Sequence, residues 1–286
     1  MHPVLVTGAT GRVGRNVVDQ LLAAGVPVRA LTRRPTEANL PPAVEVASGD
    51  LTLPDSLNAA LEEISAVFLV WAAGPATAQA VVARLAKHAS RVVFLSSPHQ
   101  TPHPFFQQPN PLAVLHAEIE RLIVTSGIAS TIIRPGMFAS NTVHWWSGQI
   151  RKSGAVRWPY GAAETAPIDE RDIASVAARA LCDDGHAGGD YVLTGPESMS
   201  QANQAMAIGD AIGRRIQFEE LSPEDFRRET AGTLPPQVVD MLLAAWKATL
   251  GRPAYVTSTV FDLTGSPART FRQWADDHAA AFLETH

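Results

Sequence analysis

Cysteine and lysine are scarce in this chain of 286 residues, and neither forms a pattern. Cys182 is the one cysteine, which excludes an intrachain disulfide and is typical of a reducing compartment. Lysine occurs at three separate positions, and the 23 Lys and Arg residues together form no basic block. With a net charge of −5, the chain has no electrostatic footprint for nucleic acid.

Long hydrophobic runs are also lacking. The longest, residues 66–73, is far shorter than the roughly 20 apolar residues of a membrane-spanning helix. Residues 1–3 lead directly into an apolar strand pattern, without the charged and apolar layout of a signal peptide. We therefore expect no membrane attachment and a cytoplasmic location.

A glycine-rich turn is the most informative feature that is present. The apolar residues 4–6 run into Thr7-Gly8-Ala9-Thr10-Gly11-Arg12-Val13-Gly14, and an amphipathic helical pattern follows. Gly8 suits a tight turn, Gly11 allows close approach of an anion, and Gly14 lets the helix pack against the strand. The spacing G-x-x-G-x-x-G differs from G-x-G-x-x-G, but the strand before it and the helix after it supply the required context. The stretch predicts binding of a dinucleotide pyrophosphate at a helix N-terminus.

The end of the second predicted strand bears on which dinucleotide binds. An NAD site has an acidic side chain here, whereas this chain has Arg33 and Arg34 and no carboxylate directly after the strand. These two guanidiniums, together with that of Arg12 in the glycine turn, are suited to bind a ribose 2′-phosphate. The pattern favours NADP(H) over NAD(H); the alternative is that Arg33 and Arg34 are solvated loop residues.

Apolar β-type runs alternate with helical patterns over the first two thirds of the chain. This alternation predicts an α/β protein with a doubly wound parallel sheet, the Rossmann arrangement. Strands are expected at 3–7, 27–32, 43–48, 65–71, 91–95, 129–134 and 190–194, with helices at 12–25, 55–63, 76–89, 111–126 and 169–183. A short strand at 215–219 and helices at 200–213, 222–230, 235–249 and 267–283 follow. We expect a nucleotide-binding domain over 1–194, with 135–165 contributing to a substrate pocket, and a smaller, mainly helical substrate lobe over 195–286.

Ligands of such sheets lie across the carboxyl ends of the strands, so the residues that follow each strand are the candidates for contact. The expected cofactor contacts are Gly8, Thr10, Gly11, Arg12, Val13, Gly14, Arg33, Arg34, Asp50, Leu51, Ala72, Ala73, Ser96 and Pro135. The expected substrate contacts are His99, Phe138, Trp145, Trp158 and Tyr160, several of them aromatic groups on which a flat ligand can stack. Trp145 and Trp146 are adjacent and cannot share a helix face, so one is expected to point inward and the other toward the pocket.

Several motifs together resemble the NmrA-like family of atypical short-chain dehydrogenases/reductases. The resemblance covers almost the whole chain and is carried by 7–14, 49–51 with 55–57, 91–97, 116–141, 167–174 and Phe261-Asp262-Leu263-Thr264-Gly265. It implies a Rossmann domain, a smaller carboxyl-terminal substrate lobe and NADP as the usual dinucleotide. Relatives in this family include quinone and triarylmethane-dye reductases, aromatic-metabolite reductases and proteins that only sense the NADPH/NADP balance.

The parent superfamily uses a Tyr-x-x-x-Lys pair, which this chain lacks, because none of its three tyrosines is followed by lysine four residues later. At the matching helix, His116 and Glu120 stand in the tyrosine and lysine places, one turn apart on the same face. A neutral imidazole can hold a substrate oxygen and a protonated one can donate to it; a neighbouring carboxylate would raise the pKa of the imidazole and favour the charged donor. His116 is therefore the candidate catalytic residue; the alternative is a histidine that is hydrogen-bonded inside the fold.

Other chemistries are disfavoured. His99 and His103 have the spacing of a helical metal pair, but Pro98, Pro102 and Pro104 disfavour a helix there, so no metal site is expected. A serine hydrolase is disfavoured because the chain has no G-x-S-x-G elbow. We expect an NADPH-dependent reductase of a small aromatic, conjugated carbonyl or quinone-like compound; the alternative is a non-catalytic NADP(H) sensor. The apolar stripe Val238, Leu242, Leu243 and Trp246 on the predicted helix over 235–249 is assigned to the core of the second lobe; a homodimer through this stripe remains open.

Overall fold

The computed structural model describes residues 2–283 and is built on a seven-stranded parallel sheet. The strands of the chain are β1 (Val4–Val6), β2 (Val28–Thr32), β3 (Glu45–Ser48), β4 (Ala66–Val70), β5 (Arg91–Leu95), β6 (Ala129–Pro135), β7 (Ala155–Trp158), β8 (Glu164–Thr165), β9 (Asp190–Leu193), β10 (Met199–Ser200) and β11 (Gln217–Glu220). The sheet order is β3-β2-β1-β4-β5-β6-β9, and every neighbouring pair is parallel. The predicted doubly wound α/β fold and its seven strands are confirmed.

Helices cover both faces of the sheet and form a second lobe. They are α1 (Arg12–Ala23), α2 (Ala78–His88), α3 (Pro111–Ser126), α4 (Asn141–Ser153), α5 (Glu170–Cys182), α6 (Gln201–Ala211), α7 (Pro223–Glu229), α8 (Pro236–Ala248), α9 (Thr259–Thr264), α10 (Phe271–Asp277) and α11 (Ala280–Leu283). One face packs against α1, α5 and α9, and the other against α2 and α3. Local signals fix the helix ends: the Asn110 side chain accepts from the Leu112 N–H at the start of α3, and Gly127 ends this helix at φ +77°.

The predicted helix over 55–63 is wrong. Two short 3₁₀ turns, Pro54–Leu57 and Ala59–Leu61, occupy this stretch. The Ser56 hydroxyl donates to the Leu53 carbonyl and accepts from the Asp50 N–H, so it competes with helical hydrogen bonding. Glu63 then takes φ +54°, which ends the segment.

The second lobe contains elements that were not predicted. Helix α4 and strand β7 occupy a stretch expected to be loop, and β7 pairs in parallel with β11. The tail helix expected over 267–283 is divided into α10 and α11, and α9 precedes them. A separate hydrophobic core joins residues 139–163 to 199–282 and buries Trp146, Trp246 and Trp274 completely. This core draws on both sides of residue 194, so the domain boundary there stays a prediction.

The sheet order places a switch point between β1 and β4. The chain moves from β1 to β2 on one side, and later from β4 to β5 on the other. A crevice forms outside the carboxyl ends of the strands at such a point, and ligands of doubly wound sheets bind there. Within residues 2–283, no helix combines the length and the apolar character needed to cross a membrane.

Candidate functional site

The glycine turn lies at this switch point and has the backbone geometry of a phosphate cradle. Gly8 takes φ +62°, and a Cβ there would lie 3.1 Å from the Val70 Cβ at the end of β4. A Cβ on Gly14 would lie 2.2 Å from the Gly8 carbonyl oxygen, so a side chain is excluded. Gly11 caps α1 with no side-chain hydrogen bond, which leaves the first N–H groups of the helix available to an anion.

A first cavity of about 230 Å³ extends from this turn toward the end of β2. Its wall is formed by Thr7, Gly8, Thr10, Leu31, Thr32, Arg33, Arg34, Glu37, Ala38, Gly49, Asp50, Leu51, Val70 and Ala72. Arg33 and Arg34, which follow β2, therefore line the same cavity as Gly8. An arrangement of cationic side chains, backbone N–H groups and small residues fits a phosphorylated nucleotide.

Glu37 is a wall residue that the sequence analysis missed. It lies in a 3₁₀ turn, Pro35–Glu37, and its carboxylate pairs with Arg34 at 2.7 Å. Arg33 makes no ion pair or side-chain hydrogen bond within residues 2–283, although its charge helps to lower the pKa of Asp50 after the larger effect of the Thr52 N–H. Of the two arginines, Arg33 is therefore the one that is available to a phosphate.

Arg12 has a different position from the one expected. Its guanidinium donates to the Ser140 hydroxyl at 2.7 Å, at the start of α4, and it is not part of the first cavity's wall. Ser140 in turn contacts the buried carboxylate of Glu170. Arg12 thus connects the glycine turn to the second lobe, and its contact with a phosphate beside Arg33 and Arg34 stays a prediction.

The remaining expected cofactor residues divide into three groups. Thr10, Asp50, Leu51 and Ala72 line the first cavity, and Ser96 and Pro135 line a second one. The side chain of Val13 is buried in the core under the sheet, and the carbonyl of Ala73 accepts from the Trp71 indole at 2.6 Å. A cofactor contact of Val13 or Ala73 stays a prediction, and it would be made by backbone atoms.

A second cavity of about 430 Å³ opens at the ends of β4, β5 and β6, and its wall is mostly apolar. Val70 lines both cavities, which places them side by side at the end of β4. The wall contains the expected residues Ser96, His99, His116, Pro135, Phe138 and Trp145. It also contains Trp71, Phe105 and Phe106, together with Met241, Leu242, Ala245 and Trp246 of α8. Helix α8 was recognised from its apolar stripe, but that stripe was assigned to the lobe's core and not to a ligand cavity.

The aromatic residues around 145–160 do not all reach this cavity. Trp145 lines it, whereas Trp146 is completely buried, as expected for neighbours that cannot share a helix face. Trp158 is buried behind Trp145, with the ring centroids 5.5 Å apart. Tyr160 lies at a turn with φ +57° and packs against the second lobe's core. The structure thus places Trp158 and Tyr160 outside the cavity wall, because they complete the core that supports it.

His116 is the most informative polar residue of the second cavity. It is buried on α3, and its Nδ1 lies 3.0 Å from the Ser97 hydroxyl on the loop after β5. The Phe94 ring packs against the imidazole in a T-shaped arrangement, with centroids 5.6 Å apart. Helix, ring and hydroxyl together hold the imidazole in one orientation beside the cavity.

Glu120 does not serve as the partner of His116. Both of its oxygens accept from the buried guanidinium of Arg134, at 2.7 and 2.8 Å, and Ser96 also donates to it. Arg134 extends the pair to the half-exposed Asp190. This network neutralises the carboxylate one turn below the imidazole.

The pKa of His116 follows from this environment. Burial lowers the pKa from 6.5 to about 4, because the charged imidazolium loses its hydration. Glu120 acts in the opposite direction and is outweighed, while His99 and Arg134 lower the pKa further. The expectation of a charged proton donor is wrong: His116 is neutral at pH 7.

Other titratable groups form no metal site in the described part of the chain: residues 2–283 contain no group of three His, Cys, Asp or Glu side chains suited to a metal ion. His103, which was weighed as a metal ligand with His99, packs against Phe106 and Tyr255.

Comparison with known proteins connects this geometry to a family. A family model described as NAD(P)H-binding matches residues 8–184. The chain is 37% identical to a (4-alkanoyl-5-oxo-2,5-dihydrofuran-3-yl)methyl phosphate reductase of Streptomyces griseus, over 98% of this chain and 99% of the relative. It is 34% identical to an NAD(P)H azoreductase of Xenophilus azovorans, again over 98% and 99%.

Solved structures with the same fold include two reductases. An NADPH-dependent quinone oxidoreductase from Escherichia coli superimposes with a TM-score of 0.78 at 25% identity, over 96% of this chain and 98% of that one. The Citrobacter triphenylmethane reductase complexed with NADP(H) has a TM-score of 0.79 at 20% identity, over 97% and 99%. The second likeness concerns the fold alone.

Proposed function

Since the chain belongs to the NAD(P)H-binding family and is a reductase similar to NmrA-like atypical short-chain dehydrogenases/reductases, we propose that it uses NADPH to reduce a small conjugated carbonyl or quinone-like compound. The observation that carries this proposal is the adjacency of the two cavities. A polar cavity that contains the glycine turn, Arg33 and Arg34 meets an apolar cavity beside His116 at Val70, at the carboxyl ends of the strands.

The residues present fit NADPH. Gly8 and Gly14 leave no room for side chains within the turn, and helix α1 presents free N–H groups that would bind the diphosphate. Arg33 supports the choice of NADPH over NADH, because its unpaired guanidinium can bind a ribose 2′-phosphate. The proposed cofactor contacts are those that line the first cavity, together with the backbone of the glycine turn.

When bound, NADPH supplies the hydride, and the protein's part is to position the acceptor and polarise it. The acceptor of such a hydride would be a carbon conjugated to an oxygen, and that oxygen would take the electron pair of the conjugated bond and a proton from water. Neutral His116 is suited to polarise the oxygen as a hydrogen-bond donor, while the apolar wall aligns a flat ring. A charged acid is not required by this chemistry, which is consistent with the absence of a Tyr-x-x-x-Lys pair.

The wall also bears on the class of substrate. Aromatic side chains of Trp71, Phe106, Phe138, Trp145 and Trp246 surround the cavity, and a conjugated or aromatic ligand would stack on them. No Lys or Arg of residues 2–283 lies in this wall, so it favours an uncharged ligand. The Streptomyces griseus relative is named for a (4-alkanoyl-5-oxo-2,5-dihydrofuran-3-yl)methyl phosphate, an unsaturated lactone that carries a phosphorylated methyl group. We expect the substrate here to share a conjugated oxo group with such a compound but to lack the phosphate.

The sensor alternative receives less support. A sensor needs no substrate cavity, whereas an open volume of about 430 Å³ lies beside the nucleotide site. The division into a nucleotide-binding domain over 1–194 and a lid lobe over 195–286, a homodimer and a cytoplasmic location stay predictions.

The test is NADPH consumption by the purified protein against a panel of quinones, azo and triarylmethane dyes, and conjugated lactones with and without a phosphate, with NADH run in parallel. Turnover with NADPH and an uncharged acceptor would support the proposal. Tight NADPH binding without turnover of any acceptor would contradict the reductase and favour the sensor. Turnover of only the phosphorylated lactones would contradict the proposed substrate class.

A further inference from the structure

Ser97 lies between two histidines at the edge of the second cavity. Its hydroxyl oxygen is 3.0 Å from Nδ1 of His116 and 3.3 Å from Nδ1 of His99. A serine hydroxyl has one hydrogen to donate, so it can donate to only one of these nitrogens at a time. If Ser97 donates to Nδ1 of His116, this nitrogen is unprotonated and the hydrogen of the neutral His116 ring lies on Nε2. If Ser97 donates to Nδ1 of His99 instead, Nδ1 of His116 can carry the hydrogen.

The backbone decides the state of His99. Its Nδ1 is 3.1 Å from the carbonyl oxygen of Ser97, and a carbonyl oxygen only accepts hydrogen bonds. The Arg134 guanidinium, which can only donate, also lies 3.5 Å from this nitrogen, but the carbonyl oxygen is closer. We therefore assign Nδ1 of His99 a hydrogen that it donates to the Ser97 carbonyl, which also accepts from Arg134 at 3.0 Å. This holds whether or not Nε2 of His99, 3.8 Å from a Glu120 oxygen, carries a second proton.

With Nδ1 of His99 acting as a donor, the Ser97 hydroxyl donates to Nδ1 of His116. Because neutral imidazole has one N–H, the hydrogen of His116 then resides on Nε2. The opposite arrangement would have Ser97 donate over the longer 3.3 Å contact and would set the lone pair of His99 Nδ1 against the carbonyl oxygen. The shorter contacts and the carbonyl both favour the Nε2–H form.

We propose that Ser97 is a positioning residue that holds His116 in the Nε2–H tautomer, so that a neutral N–H donor is presented to the substrate oxygen. The catalytic half of this statement rests on the proposed reductase function; the tautomer does not. During reduction the substrate carbon gains the hydride and the oxygen gains the electron pair and a proton from water. His116 donates a hydrogen bond throughout and keeps its proton.

The surroundings of His116 are consistent with a fixed neutral ring. The charged groups that face it are Glu120 on its own helix, Arg134 on β6 and the imidazole of His99 on the loop after β5. Glu120 and Arg134 neutralise each other. Neither provides a competing partner for Nδ1, which leaves the Ser97 hydroxyl as the group that orients the hydrogen.

The experiment measures the tautomer directly. Two-bond ¹H–¹⁵N correlation spectra of the histidine-labelled protein, at neutral pH and without cofactor, distinguish protonated from unprotonated ring nitrogens, and His116→Gln identifies the His116 signals. We expect Nε2 protonated and Nδ1 unprotonated. In Ser97→Ala the Nδ1 signal should move toward the protonated value, because a mixture of tautomers forms. Ser97→Thr, which keeps the hydroxyl, should restore the original signals.

Turnover provides the second measurement. With any acceptor found in the panel, Ser97→Ala should lower kcat about fivefold with KM for NADPH unchanged, and Ser97→Thr should recover most of the loss. A hydrogen on Nδ1 of His116 in the parent protein would overturn the proposal. A fall in kcat without any change of the His116 signals in Ser97→Ala would overturn it too. Failure to turn over any acceptor would refute the reductase and leave the spectra to decide the tautomer.

Discussion

Arg134 holds both carboxylate oxygens of Glu120, at 2.7 and 2.8 Å, in a pair that is almost completely buried. This pair connects α3 to β6 directly beneath the second cavity. It also bears on the neighbouring imidazole: Glu120 raises the pKa of His116, but burial lowers it more strongly and Arg134 acts in the same direction as burial. The stability of the site and its electrostatics therefore depend on the same contact.

Glu120→Gln is expected to lower the free energy of unfolding by about 3 kcal/mol, because it leaves the buried guanidinium of Arg134 with the half-exposed Asp190 as its remaining carboxylate. Urea unfolding at neutral pH measures this loss. The control is Glu118→Gln on the same helix, whose exposed pair with Arg121 should contribute nothing measurable. Equal stabilities for the two variants would show that the buried pair is not a stabilising contact.

Arg33→Ala is expected to weaken NADPH binding tenfold or more, with NADH binding nearly unchanged, because a charge-assisted hydrogen bond to the 2′-phosphate is worth roughly 1.5–3 kcal/mol. Titration of both cofactors by fluorescence measures the two dissociation constants. Arg34→Ala is the matched control and should have a smaller effect, since Arg34 already pairs with Glu37. Equal losses for NADPH and NADH would refute the phosphate assignment.

Glu37→Gln is expected to tighten NADPH binding about threefold. The change removes a negative charge from the first cavity's wall and releases Arg34, and exposed ion pairs of this kind are worth only a fraction of a kcal/mol. The same titration measures it, and the gain should decrease as salt is added. Weaker binding of both cofactors would instead indicate that Glu37 holds ribose hydroxyls.

His116→Ala is expected to lower kcat about a hundredfold while KM for NADPH stays constant, because a single preorganised donor to a developing oxyanion contributes on this scale. Steady-state kinetics with an accepted substrate measure the two constants. His88→Ala, at the exposed end of α2, is the control for the loss of a histidine. Unchanged turnover in His116→Ala would make this residue structural.

Much of this architecture is predictable from local patterns. The seven strands are short apolar runs bounded by turn residues, and Gly8, Gly11 and Gly14 mark the turn through steric needs that act within a few residues. Helix α4 was missed because Ser147 and Gly148 weaken its helical pattern and the burial of Trp146 becomes apparent only in the fold.

The errors at the site have a common physical origin. The sequence shows Glu120 one turn from His116 but not Arg134, which lies 14 residues beyond Glu120 and neutralises it across the sheet. The sequence likewise does not show that Arg12 bonds Ser140, 128 residues away. Partner choice among charged groups depends on tertiary distances, which periodicity and spacing do not encode.

The low pKa of His116 predicts a specific pH dependence of stability. Below pH 6.5 the unfolded chain binds a proton at this histidine, whereas the folded protein does so only near pH 4. The unfolded state therefore gains protons first, and the free energy of unfolding should fall as the pH falls from about 6.5 to about 4. The shift corresponds to about 3 kcal/mol from this group alone.

His116→Gln cannot titrate, so the difference in unfolding free energy between pH 7 and pH 4 should be smaller in this variant by about that amount. Urea unfolding of both proteins at the two pH values measures it. Identical differences would mean that the folded protein protonates His116 as readily as the unfolded chain, and the neutral donor assigned to the second cavity would then be untenable.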